Sequence, residues 1–346
     1  MSKFISLRSD KFSYLFEKKH GWVTLALLAA TILIMIISTG IGSQYISPIN
    51  VIRAVFGHGS AMNDVIVNQL RLPRIVIAVL IGASLAVAGA VLQGIVRNPL
   101  ASPDVTGITE GASLGAVLFM FLFSDSVSIH WMPLMSIACA FGVTFLLYIL
   151  AWKQGVSPLR LVLIGTGLSA AFKSVSYMLI ISGPLILASK SLTFMTGSIY
   201  GASWNNDVLN LLPWVGVLLP LTWLQARHVN VLALGDEVAT GTGARVQRHR
   251  LILLLLSVAL AGAAVAIGGA VTFIGLMAPH MARKLVGPSF GNLLPVSALI
   301  GAILLLIADL IARTAFLPLD VPAGVFTAAI GAPFFLYMLY RYRNQA

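Results

Sequence analysis

Leu80–Pro99 reads LIGASLAVAGAVLQGIVRNP and Leu260–Pro279 reads LAGAAVAIGGAVTFIGLMAP; sliding the sequence by 180 positions lays one over the other without a gap. Eight of the twenty positions are identical: Leu80/Leu260, Gly82/Gly262, Ala83/Ala263, Ala86/Ala266, Gly89/Gly269, Ala90/Ala270, Val91/Val271 and Pro99/Pro279. Composition inflates identity between segments rich in glycine and alanine, so spacing matters more. Gly82–Ala86–Gly89 and Gly262–Ala266–Gly269 fall at i, i+4 and i+7, one face of each helix. Small residues on one face let helix backbones approach closely. The pair therefore reads as an internal repeat of tightly packed helices.

The solvent around those helices follows from the rest of the chain. Apolar residues fill 58% of 346 positions and charged residues only 10%, with a mean hydropathy of +0.95. A soluble domain carries roughly 25% charged residues, so this surface cannot face water everywhere. A helical span takes ~20 apolar residues. Apolar runs place about ten at 22–42, 72–96, 110–124, 131–151, 159–181, 207–226, 250–268, 270–283, 293–313 and 322–340. The chain thus reads as one all-α integral membrane domain, 1–346, with a cytoplasmic tail at 1–21 and an uncleaved first span. The run 110–124 is short, and 270–283 is broken by Gly275 and Pro279.

The net charge of +11 suggests an oriented membrane protein and not a nucleic-acid binder. With both termini in the cytoplasm, 16 of the 22 lysines and arginines lie in tails or inner loops, as the inward bias of positive charge requires. Arg53, Arg71, Arg74, Lys190 and Arg313 fall outside, and Lys173 lies within a span. Cys139 is the single cysteine, so no disulfide framework is expected. The repeat copies begin on the second and seventh spans and enter the membrane from opposite sides. Spans 2–5 and 7–10 then form an inverted repeat, the symmetry that places a transport pathway between two halves.

Four segments stand out: Arg71-Leu72-Pro73-Arg74; Gln93-Gly94-Ile95-Val96-Arg97-Asn98-Pro99 running on to Gly107-Ile108-Thr109-Glu110-Gly111-Ala112; Phe273-Ile274-Gly275-Leu276-Met277-Ala278-Pro279-His280 with Arg283; and Ala308-Asp309 with Arg313, then Asp320-Val321-Pro322-Ala323-Gly324. In this order and spacing the chain, from about residue 50 to its end, resembles the iron–siderophore, haem and cobalamin permeases, the FecCD family of type II ABC importers. Asp320 stands where that family usually has Glu, Phe194 where it commonly has Trp, and Thr242 replaces its usual leucine.

The resemblance implies a permease that binds no cofactor itself. It implies a second permease subunit, identical or related, two cytoplasmic ATPase subunits that use ATP and Mg, and an extracytoplasmic substrate-binding protein. It implies docking of that binding protein through acidic residues onto Arg71, Arg74 and Arg313. It also makes the loop 227–249, with Leu234, Gly235, Asp236, Glu237, Ala239 and Gly243, a short helical pair seated in a groove of the ATPase.

Physical chemistry supplies further readings. Pro99 and Pro279, lacking an N–H, end or kink the repeat helices, and Asn98 and His280 adjoin those breaks. A lone His280 reads as a hydrogen-bonding helix-end residue, not a metal ligand. Asp309 and Arg313 stand one turn apart and can pair. Lys173 either lines the pathway or reaches outward to lipid. The sequence contains no Gly-x4-Gly-Lys-Ser/Thr phosphate loop, so ATP hydrolysis is expected in a separate subunit. The resemblance implies an iron(III)–siderophore complex as cargo, with cobalamin or haem as alternatives. A gradient-driven transporter would need carboxylates near mid-membrane, and Asp309, the candidate, lies towards the outer end.

Overall fold

The computed structural model describes residues 4–9, 12–123, 126–151, 158–316 and 319–342. Parts of the predicted tail, residues 1–3 and 10–11, lie outside the described residues. The rest of the tail adds a short antiparallel hairpin, strands β1 (Phe4–Ser9) and β2 (Phe12–Glu17), ahead of the all-helical membrane domain.

The helices follow as α1 (Lys18–Gly40), α2 (Pro48–Val55), α3 (Ala61–Val65), α4 (Leu72–Val96), α5 (Ile108–Leu122), α6 (Met132–Ala151), α7 (Pro158–Ser182), α8 (Leu185–Met195), α9 (Leu209–Leu224), α10 (Ala226–Ala233), α11 (Asp236–Gly241), α12 (Val246–Gly268), α13 (Ile274–Val286), α14 (Phe290–Thr314) and α15 (Ala323–Tyr342). Each of the ten expected spans coincides with a helix: α1, α4, α5, α6, α7, α9, α12, α13, α14 and α15. Seven helical runs are long and apolar enough to cross a membrane, and α5, α8 and α15 are shorter apolar helices. With 13 residues, α13 reaches ~20 Å and cannot cross a ~30 Å hydrocarbon core alone. Irregular backbone at such a place survives only where protein shields it. Helices α2, α3 and α8, outside the expected spans, are additions to the sequence reading.

The packing obeys the expected repeat. α4 packs on α14 and α12 on α6; α4 on α13 and α12 on α5; α5 on α6 and α13 on α14; α6 on α7 and α14 on α15. Exchanging α4–α7 with α12–α15 turns each of these pairs into its partner. α4 and α12 also touch each other and form the buried axis, while α7 is largely open.

Candidate functional site

The small-residue faces become close contacts. A Cβ on Gly82 would overlap the Gly301 carbonyl of α14, and a Cβ on Gly89 would overlap the Gly275 carbonyl of α13. Ala86 and Ala266 are fully buried. Gly262 lies against Ile137 of α6, where a Cβ would come within 3.0 Å of its Cα.

Two expectations for the second copy are corrected. Gly269 does not share a helix face with Gly262: α12 ends at Gly268, and Gly269 turns the chain with a φ of 68°, a conformation glycine adopts without steric cost. Pro99 and Pro279 are not equivalent either. Pro99 lies beyond the end of α4, in a turn where the Asn98 side-chain oxygen accepts from the Leu100 N–H at 2.9 Å. Pro279 is buried within α13.

A proline at 279 leaves the Gly275 carbonyl without its helical donor. The Gln93 side-chain amide of α4 donates to that carbonyl at 3.3 Å, and Arg283 in turn donates to the Gln93 oxygen at 2.6 Å. Above the break, the Phe273 N–H donates to the Asp104 carboxylate at 2.8 Å, and Thr109 donates to the same carboxylate at 2.9 Å. The unwound segment 269–273 is therefore tied to the loop between α4 and α5. His280, beside it, is buried edge-on against Phe334.

The three outer arginines turn inward, correcting the expectation that they face the outer surface. Arg71 and Arg74 are each only 8% exposed. Arg71 donates to the carbonyls of Thr39 at 2.8 Å, Gly40 at 3.2 Å and Gln44 at 2.7 Å. Arg313 donates to the carbonyl and hydroxyl of Ser38. The carbonyls of Ser38, Thr39 and Gly40 belong to the last turn of α1, which lacks intrahelical donors and carries the negative end of the helix dipole. Positive charge on this side thus has a structural partner in span one.

Arg74 forks between Asp309 at 2.8 Å and Asp320 at 2.5 and 2.8 Å, joining α4, α14 and the segment before α15. Asp309 also faces Arg313 at 3.7 Å along one helix turn. Arg74 and Arg313 meet the two carboxylates and Arg71 adds a third guanidinium nearby, leaving a net positive cluster close to the exposed Tyr200 ring, 5.9 Å from the Arg74 guanidinium.

At the other end, α10 and α11 form the expected helical pair, joined at Gly235. Asp236 receives Arg250 at 2.8 Å and Arg97 at 3.4 Å. Leu234 and Val238 are 67% and 51% exposed, one turn apart, while Ala239 is fully buried. Ala239 packs into the chain itself, so the free face of the pair belongs to Leu234, Glu237 and Val238. Gly243 is exposed and left-handed.

Lys173 is exposed on α7, and its charge acts on Glu110 of α5. Gln93 and Asp104 have structural roles that sequence reasoning left unassigned: both tie the broken α12–α13 connection to the first repeat copy.

Residues 30–341 match the FecCD transport family. The probable siderophore transport system permease protein YfhA of Bacillus subtilis (strain 168) is 47% identical, across 95% of this chain and 97% of its own length. The achromobactin transport system permease protein CbrC of Dickeya dadantii (strain 3937) is also 47% identical, across 94% of this chain and 92% of its own. Among solved structures, a putative metal-chelate type ABC transporter in an inward-facing conformation superposes with a TM-score of 0.78 at 29% identity, covering 93% of this chain and 99% of that one. Motifs, paired repeats and likeness agree: the chain belongs to the FecCD transport family, as a multi-pass membrane permease.

Proposed function

We propose that this chain is the transmembrane permease subunit of an ATP-driven importer carrying an iron(III)–siderophore complex into the cytoplasm. The observation behind this reading is the exchange of packing partners between α4–α7 and α12–α15, with a shielded helix break at their seam. Two halves joined by close backbone contact can rock as units around such a seam. The cargo assignment draws on relatives named for siderophore, achromobactin and iron(3+)-hydroxamate transport.

The roles divide by end. Two cytoplasmic ATPase subunits hydrolyse ATP with Mg and engage the chain through exposed Leu234, Glu237 and Val238. An extracytoplasmic binding protein docks at the opposite end. Arg71, Arg74 and Arg313 attract its carboxylates through the net positive field of their cluster, which steers encounter and sets register without direct exposure of each group. A second permease subunit, identical or related, faces the open side of α7, where Lys173 borders the cargo route. Both termini then lie in the cytoplasm.

Uptake of radiolabelled iron(III)–siderophore by cells lacking this chain, with and without complementation, tests the reading. Complementation should restore uptake, and depleting ATP while a proton gradient is maintained should stop it. Uptake that follows the gradient and ignores ATP would overturn the proposal.

A further inference from the structure

His228 of α10 and His249 near the start of α12 stack face to face, ring centroids 3.8 Å apart and planes 15° from parallel. The two rings lie in the wall of a cavity of about 490 Å³, completed by Arg227, Arg245 and the Thr242–Ala244 turn. Among the described residues, no carboxylate lines this cavity, and neither Arg227 nor Arg245 has an ion-pair partner. The nearest acidic residue on α11 with a defined partner, Asp236, is occupied by Arg250 and Arg97. The Nδ1 atoms of both histidines are buried without a hydrogen-bond partner among the described residues. A buried polar atom left unsatisfied is costly, and the exposed Arg227 and Arg245 add two positive charges without a carboxylate partner to the lining of the same cavity.

We propose that this cavity is a binding site for a phosphate-class anion, bridging α10 to the start of α12. Arg227 and Arg245 supply permanent charge, and the His228 ring, stacked on His249, supplies a donor once protonated. Guanidinium and imidazolium groups form charge-assisted hydrogen bonds to phosphate oxygens. In the free chain burial holds the His228 pKa below its ordinary value, with His249 and Arg227 adding repulsion. A bound anion offsets that repulsion, so binding takes up a proton and strengthens as pH falls. The groups facing the pair from α10, α12 and the connecting turn are Arg227, Arg245 and each other's rings. The site does not depend on which cargo the permease carries.

Two probes applied to the full chain in phosphate-free maltoside detergent separate the sources of the anion. Calorimetric titration uses inorganic phosphate, and sulfate as a probe whose charge is constant between pH 6 and 8. Native mass spectrometry compares phosphatidic acid with phosphatidylcholine. Sulfate affinity should fall at least fivefold from pH 6 to pH 8. Arg245→Gln should weaken phosphate and sulfate at least tenfold, and His228→Gln should flatten the pH dependence while leaving the melting curve intact. If the free anions fail but phosphatidic acid is retained over phosphatidylcholine, and Arg245→Gln abolishes that preference, the ligand is a lipid headgroup. Binding that is absent for every probe, or unchanged in both variants, overturns the site.

Discussion

Leu80–Pro99 and Leu260–Pro279 share eight of twenty residues, yet the first copy continues as helix to Val96 while the second breaks after Gly268. Gly89 and Gly269 occupy the same aligned position. Gly89 stays within α4, and the Gly275 carbonyl lies so close that no side chain fits there. Gly269 leaves the helix because Phe273, four residues on, is held by Asp104. The seam also differs in chemistry. The α4–α14 contact adds the buried Arg74–Asp309 pair, whereas its counterpart α12–α6 has the Ser136 hydroxyl donating to the carbonyls of Ala112 and Gly262. One repeated sequence thus provides a continuous axis in one half and a tethered break in the other, and tertiary partners decide which.

That comparison can be broken by mutation, with thermal unfolding of the purified chain as the readout. The largest effect is expected from Arg74→Ala, which leaves the fully buried Asp309 carboxylate with only the longer 3.7 Å contact to Arg313; removing one partner of a buried pair costs about 3–5 kcal/mol. A melting shift no larger than that of Ser136→Ala would show that the α4–α14 contact does not rely on charge. Gly89→Ala comes next, at about 1–3 kcal/mol for overpacking against backbone that cannot swing away. Gly82→Ala should cost more than Gly262→Ala, because it meets the Gly301 carbonyl and not the side of Ile137. Gly216→Ala, in open space on α9, should be neutral or stabilising by up to about 1 kcal/mol.

Gln93→Met sharpens the account of the break. It removes the donor from the Gly275 carbonyl, for about 1–3 kcal/mol, and Pro279→Ala should recover at least half of that loss by restoring a backbone N–H. No recovery in the double variant would mean that Gln93 acts mainly through Arg283. Ser136→Ala should be the mildest of the destabilising changes, about 0.5–1.5 kcal/mol, because the carbonyls it contacts belong to helices.

The spans were legible because long apolar runs have few other meanings, and the repeat was legible from its small-residue spacing. The break at Gly269 was not: gapless identity concealed it, although the tandem Gly268-Gly269 was visible and the tether, Asp104, lies far away in sequence. The outer arginines were noticed for the right reason, their violation of charge bias. The destination of Arg71 and Arg313 was hidden because the carbonyls that close α1 carry no side-chain signature. Ala239 was placed on the wrong side of α11, since a six-residue helix offers too few turns for periodicity to reveal its buried face.

The most direct test is transport in proteoliposomes holding this chain with its ATPase, binding protein and any second permease subunit. Iron(III)–siderophore, haem and cobalamin would each be supplied outside, with ATP and Mg inside. The account predicts ATP-dependent accumulation of the iron chelate over the other two cargoes, and its loss in Leu234→Asp/Val238→Asp, whose exposed positions leave the fold intact. Accumulation without ATP, or undiminished accumulation in that double variant, would contradict it.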